Sequence, residues 1–255
     1  MLRGIYASGS AMKMQGIQQE ILADNLANIN TSGYKTENIS FRSFVPRVVR
    51  GDDDQVLGVM NNGVNVHTTN YNFEQGPLRI TENPLDIAIT GTGFFPVELP
   101  DGDIQYTRNG HFTIDREGFV TTLHGDKLLD EGLAPIVIDI SSSKDITVTK
   151  DGTFLIDGQA MTRLSTFNFP QGAGIVRMTG DKYDLGDDNM TMNNGVVMIQ
   201  SNADLFHQGF LEDSNVSAVK MSTEMIKTMR SYEANQKVMK SQVDTLRLIM
   251  DIGRI

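Results

Sequence analysis

Residues 216–251 read VSAVKMSTEMIKTMRSYEANQKVMKSQVDTLRLIMD. The stretch has no Gly and no Pro, so nothing in it breaks a helix. Met225, Tyr232, Met239 and Leu246 recur in sevens, and Met229, Gln236, Val243 and Met250 follow each of them by four. At about 1.5 Å per residue this is a helix of about 50 Å carrying a narrow stripe. Lys220, Glu224, Lys227, Arg230, Lys237 and Lys240 fall on the other side. Such a helix cannot bury its stripe alone and needs a partner helix, from this chain or from another subunit. The polar members Asn235, Gln236 and Gln242 are candidates to set register at some cost in stability.

Composition narrows the function classes. Across 255 residues the formal net charge is −10, which argues against nonspecific binding to nucleic acid or to an anionic membrane surface. There is no Cys, so neither a disulfide framework nor a thiolate metal site is available. No apolar run approaches a membrane span. The first residues lack a secretory apolar core, because Lys13 and Gln15 interrupt it. Plentiful Gly (24) suits turn-rich β structure, and plentiful Met (14) suits adaptable packing surfaces.

A second helix is predicted over residues 1–30. Leu2, Ile5, Met12, Leu22 and Leu26 supply apolar positions, while Gly4, Gly9 and Gly16 weaken the helix unless it is packed. Small residues there also permit another backbone to approach closely. Asn28-Ile29-Asn30-Thr31-Ser32-Gly33 marks its end. Residues 36–84 read as an extended, β-like connection, with strands near 38–44 and 63–69. Its acidic triple Asp52-Asp53-Asp54 lacks EF-hand spacing and reads as a solvated loop.

From 85 to 211 the period shifts toward two, with frequent turns. An internal echo sits here: Thr107-Arg108-Asn109-Gly110-His111-Phe112-Thr113-Ile114-Asp115 matches Thr149-Lys150-Asp151-Gly152-Thr153-Phe154-Leu155-Ile156-Asp157. Asn-Gly and Asp-Gly suit two-residue hairpin turns. The echo therefore predicts two related hairpins, each giving an aromatic to a β core. Before the closing helix, Glu212 and Asp213 read as acidic residues complementing the positive end of its dipole, with Ser214, Asn215 or Ser217 as N-cap.

No catalytic, cofactor-binding or metal constellation emerges. His67, His111, His124 and His207 lack ligand spacing, and no nucleophile elbow, Walker loop or HExxH occurs. The Gly91-Thr92-Gly93 step continues into Phe94-Phe95-Pro96 and does not open a helix, so it is no phosphate loop. The expected fold class is α+β: long N- and C-terminal helices form a coiled-coil-like pair that brackets a β-rich central domain. The expected division is a terminal helical domain from 1–35 and 212–255, a connecting region 36–84, and a β-rich domain 85–211.

Four motifs in order carry a family resemblance. Asn25-Leu26-Ala27-Asn28-Ile29-Asn30-Thr31-Ser32-Gly33-Tyr34-Lys35 resembles the N-terminal signature of flagellar rod and hook proteins. Asn83-Pro84-Leu85-Asp86-Ile87-Ala88-Ile89 with Gly93-Phe94-Phe95, then Tyr106-Thr107-Arg108-Asn109-Gly110-His111-Phe112, are similar to its central segments. Ser214-Asn215-Val216 followed by Arg230-Ser231-Tyr232-Glu233-Ala234-Asn235 resembles its C-terminal one. Pro96 departs from the pattern and suggests an edge or bulge.

The resemblance implies a structural axial subunit of the bacterial flagellar basal body, most like a proximal-rod protein, with the distal-rod type next. Alternatives are a hook-type axial protein, or a β binding module tethered by a coiled coil. The implied subunit polymerises into a helical tube that transmits torque, with the helices as inner wall. It would be exported by the flagellar type III apparatus without signal cleavage to the periplasmic or cell-wall space. Implied partners are copies of itself, other rod and hook proteins, surrounding bushing rings and the export apparatus. No enzyme activity, cofactor, nucleic acid or membrane insertion is expected. The residues assigned to helix packing and assembly are Leu2, Ile5, Met12, Leu22, Leu26, Met225, Met229, Tyr232, Met239, Val243, Leu246 and Met250. Asn25, Asn28, Asn30, Gly33 and Tyr34 form the signature turn, with the three Asn expected to cap the helix end.

Overall fold

A computed structural model describes residues 2–43, 47–50, 56–60, 64–139, 145–169, 175–178, 180–185, 197–199 and 206–252. It is α+β, with one helix at each end and strands between. Two compact units divide the chain. The first comprises residues 1–28, 36–72 and 216–255, and the second 29–35 and 73–215. Residues 29–35, grouped by sequence with the first helix, thus belong to the second unit. Residues 36–72 belong with the helices.

In the first unit α1 is Leu2–Ala27 and α2 is Ala218–Ile252. Between them run β1 (Glu37–Ser43), β2 (Arg47–Arg50), β3 (Val56–Met60) and β4 (Val64–Tyr71). β1 pairs antiparallel with β4, with a bulge between Ser40 and Phe41, and β2 pairs antiparallel with β3. α1 lies against α2 and also against the β1–β4 ribbon. That explains why its apolar residues follow no single helical stripe: two neighbours need covering. Ser217 precedes α2 at the N-cap position, and its carbonyl accepts from Met221 N–H at 2.9 Å.

The second unit holds the remaining strands. They are β5 (Leu78–Ile80), β6 (Ile87–Ile89), β7 (Phe95–Glu98), β8 (Ile104–Thr107), β9 (Phe112–Ile114), β10 (Val120–Thr122), β11 (Lys127–Leu128) and β12 (Ile146–Val148). They continue as β13 (Thr153–Ile156), β14 (Gln159–Arg163), β15 (Thr166–Asn168), β16 (Ile175–Arg177), β17 (Lys182–Leu185), β18 (Val197–Ile199), β19 (Phe206–Gln208) and β20 (Phe210–Glu212). A seven-stranded antiparallel sheet runs β16-β17-β8-β7-β11-β10-β9, and β12-β13-β14 forms a three-stranded sheet. β6 pairs with β19, β5 with β20, and β15 with β18. Ile87, Ile89, Phe95, Val97, Phe112, Val120, Leu128, Phe154 and Phe206 are among the residues of one buried core.

The echo folds in two different ways. Around Asp151-Gly152 it makes the expected hairpin, β12 to β13, with Val148 opposite Phe154. The turn is longer than two residues: Thr149 N–H donates to Thr153 O at 3.0 Å, and Gly152 takes φ +86°. Around Asn109-Gly110 there is no hairpin, because β8 and β9 are separated in the sheet by β7, β11 and β10. Gly110 instead presses on β6, where a Cβ would sit 1.7 Å from Ile87 O. Both aromatics, Phe112 and Phe154, do reach the core. Pro96 is not on an edge, since β7 is flanked by β8 and β11. Its carbonyl accepts from Leu129 N–H just past the end of β11, so the missing Pro N–H falls where that ladder has ended.

Candidate functional site, the helix seam and a buried charge junction

Three contacts fix how the helices pair. A Cβ on Gly4 would meet Gln242, one on Gly9 would lie 3.7 Å from Met239 Cε, and Asn235 Nδ2 lies 3.2 Å from Gln15 Oε1. As α1 advances, its partners on α2 descend, so the two helices are antiparallel. Met221 and Thr228 are buried on α2, and Met225, Asn235, Met239, Gln242 and Leu246 are half-buried. With Tyr232, these residues step by four and three: 221, 225, 228, 232, 235, 239, 242, 246. Of the expected row of sevens, Met225, Met239 and Leu246 are thus half-buried, while Tyr232 is 39% exposed. The companion row, 221, 228, 235 and 242, lies four residues before each member of that row instead of four after.

Of the expected companions, Met229 is 56% exposed, Met250 is 71% exposed, and Val243 is half-buried. On α1, Leu22 is buried, while Ile5, Met12 and Leu26 are half-buried. The side chain of Leu2 lies outside the described part. Missed by sequence were the buried Met14, Ser8 and Met221. Thr228 and Ser8 carry no apolar signal from which burial could be read.

The asparagines divide their roles. Asn28 Nδ2 donates to Asp24 O at 2.9 Å at the end of α1. Asn25, almost fully buried, reaches β1: its Nδ2 donates to Glu37 O and its Oδ1 accepts from Glu37 N–H, at 2.8 and 2.9 Å. Asn30 is exposed.

Within the second unit the signature turn enters the β structure. Gly33 takes φ +73°, and a Cβ there would lie 2.4 Å from Arg108 C, so any side chain is excluded both by conformation and by space. Its N–H donates to Glu212 O at 2.7 Å. Tyr34 is fully buried, its hydroxyl accepting from Arg177. Lys35 N–H donates to the Tyr183 hydroxyl at 3.2 Å.

The next side chains build the junction. Lys35 Nζ lies 2.6 Å from Glu212 Oε1 and donates to Glu74 O at 2.8 Å. Arg108 Nε lies 2.7 Å from Glu212 Oε2, and its two Nη groups donate to the carbonyls of Gly93, Ile89 and Gly91. Gly76 N–H completes the shell of Glu212 Oε1 at 2.9 Å. All three charged side chains are about 1% exposed. Two buried cations thus face one anion, and four backbone carbonyls offset the surplus positive charge. Burial pulls the Lys35 ammonium below its ordinary value, Glu212 works against that, and Arg108 adds to it. Burial likewise pushes the Tyr183 hydroxyl well up.

The junction explains the failed hairpin. At the position where the second copy has Lys150, the first has Arg108, whose side chain runs into the junction and carries the backbone away from a tight turn. Glu212 was expected to complement the α2 dipole; its carboxylate is instead engaged by Lys35, Arg108 and Gly76. Asp213 pairs with Arg79 at 3.0 Å. Asn215 Nδ2 donates to Glu74 O. Arg47 and Arg50, and the acidic triple 52–54, lie outside the described side chains. Among the described residues no group of His, Asp and Glu is arranged to hold a metal ion, and no helix is long and apolar enough to cross a membrane.

What this arrangement can do is structural: paired helices with exposed apolar residues, and a β unit locked by buried charge. The comparisons agree. Residues 5–35 match the model of the flagella basal body rod protein, and 88–156 that of the flagellar hook protein FlgE/F/G D1 domain. Residues 207–252 match the flagellar basal body rod FlgEFG protein C-terminal model. The chain is 34% identical over 240 residues to the flagellar basal-body rod protein FlgF of Caulobacter vibrioides, covering 92% of each chain. It is 30% identical over 281 residues to the flagellar hook-basal body complex protein FlhO of Bacillus subtilis, covering all of both. It is 29% identical over 255 residues to the rod protein FlgG of Buchnera aphidicola, covering 93% of this chain and 94% of the relative. The class is a structural subunit of the flagellar rod and hook type, not an enzyme. Within it, this chain belongs to the flagellar basal-body rod protein family.

Proposed function

We propose that this rod protein polymerises through its terminal helices into a helical tube that transmits torque to the hook. The α1–α2 pair packs as an antiparallel coiled-coil-like unit of the inner wall. The observation that carries this reading is the surface of α2. Ile226, Met229, Leu248 and Met250 are exposed along a helix whose seam toward α1 is already occupied. Contacts that repeat head-to-tail between copies need not close, and they then grow as a tube. Many such contacts in parallel give stiffness without any one strong bond.

The proximal rod is the favoured position, with the distal rod next, on the modest length of the β region and the Met-rich closing helix. Export by the flagellar type III apparatus without signal cleavage, a periplasmic or cell-wall location and contact with bushing rings complete the proposal. Its test is a Met229→Glu, Ile226→Glu double variant. We expect unchanged thermal stability of the purified protein, loss from isolated basal bodies and loss of motility. Normal rods in electron tomograms of the variant would overturn the assignment of this face.

A further inference from the structure

We propose that Glu212 acts as a closing switch for the β unit. Its carboxylate docks the turn 33–35 and the strand 210–212 in one step. The two points where the chain leaves the unit toward β1 and toward α2 are then fixed together or released together. This deepens the rod-subunit reading by naming how both exits are anchored.

The geometry carries the coupling. The titratable groups facing Glu212 are Lys35 and Arg108, and beside them lies the Tyr183 hydroxyl on Lys35 N–H. Arg108 keeps three carbonyl partners if the carboxylate is withdrawn, whereas Lys35 Nζ keeps Glu74 O alone. A buried ammonium so placed is better solvated outside, so the turn undocks. Undocking also breaks Gly33 N–H to Glu212 O, Tyr34 to Arg177, and Asn215 N–H to Tyr34 O, so the loss spreads to both exit segments. The sheet core draws instead on side chains such as Phe95, Val97, Val120 and Leu128, none from residues 33–35, and can survive the release. Chain order sharpens the point. Glu212 lies 177 residues after Lys35 and 104 after Arg108. A chain appearing from its N-terminus holds two cations and no partner carboxylate until residue 212 arrives, so the turn cannot dock early.

Amide hydrogen exchange on the purified full chain tests this with Glu212→Gln, Lys35→Met and the double variant. Glu212→Gln strands the Lys35 ammonium and should speed exchange at residues 33–36 and 210–215 by a common factor of roughly a hundredfold or more. Amides of β7, β10 and β11 should keep their protection, and the double variant should exchange no faster than the faster single. Faster exchange in only one of the two segments, additive effects, or a uniform rise through the sheet would each overturn the switch. If Glu212→Gln does not fold, Glu212→Asp, whose shorter carboxylate cannot meet Lys35 and Arg108 together, must still release both segments. Variants that behave as expected in a protein absent from basal bodies would overturn the rod reading and leave the switch standing.

Discussion

The Lys35 ammonium lies 2.6 Å from the Glu212 carboxylate, and Arg108 grips the other carboxylate oxygen at 2.7 Å. Each of the three segments that match family models, 5–35, 88–156 and 207–252, thus contributes one charge to a single buried cluster. A buried pair of this kind adds little net stability over an apolar replacement, yet breaking it leaves a charge stranded.

Arg108 tests that asymmetry. A lysine keeps the charge but cannot donate at once to Glu212 and to the carbonyls of Gly93, Ile89 and Gly91. Arg108→Lys should therefore cost about 3 kcal/mol or more, close to the loss of a buried partner. Urea denaturation of the monomer measures it, and a loss under about 1 kcal/mol would contradict the geometry.

Gly33 and Gly102 separate conformation from space. Both have positive φ, +73° and +93°, but only Gly33 lacks room for a Cβ. Gly102→Ala should cost about 1–2 kcal/mol, the usual left-handed penalty. Gly33→Ala should cost clearly more, because the Arg108 backbone cannot yield. Equal midpoint shifts for the two variants would show that the turn is looser than described.

Much of this was legible in residues, and what was not has physical causes. Helix extents, the row 225, 232, 239, 246 and the core roles of Phe112 and Phe154 follow from periodicity. The companion row did not, because hydropathy favours Met229, Val243 and Met250 over Thr228, Asn235 and Gln242. The true row is chosen by closeness to Gly4 and Gln15, which periodicity cannot see. Likewise Arg108 and Lys150 look equivalent within the echo. Only the distant Glu212 distinguishes them.

Alkaline pH should loosen the β unit through Tyr183. Burial holds its folded value well above the ordinary 10.0, so the folded chain keeps a proton that the unfolded chain loses. That stability is full below pH 10.0 and is lost as pH rises above it. Tyr106, raised by burial, adds in the same direction. Lys35, lowered by burial, works oppositely: stability rises between its folded value and 10.5, then the contribution is constant. Above 10.5 Tyr183 and Tyr106 drive the fall. Tyr183→Phe should flatten the fall in melting temperature between about pH 10.5 and 11.5 while lowering its overall level, since Lys35 N–H loses its acceptor. An unchanged slope would remove Tyr183 from the account.

The two sides of α2 should separate folding from assembly. Met221 is 4% exposed, and Met221→Ala should destabilise the monomer by about 2–4 kcal/mol through the cavity it leaves. Met229→Ala should change monomer stability by no more than about 0.5 kcal/mol, because its side chain is 56% exposed. In the rod the order should reverse in kind. Met229→Ala should weaken incorporation into basal bodies at normal monomer stability, whereas any defect of Met221→Ala should track its loss of folded protein. Asn235→Leu adds a third arm. Replacing the amide that meets Gln15 by an apolar side chain should raise the melting temperature of the helix pair and loosen its register. Crosslinks between cysteines placed at residues 9 and 239 read that register directly. The wild-type chain should give one dominant product, and Asn235→Leu should give additional ones with cysteines shifted by a turn. A single product in both would mean that the glycine approach, and not the amide pair, sets how the helices meet.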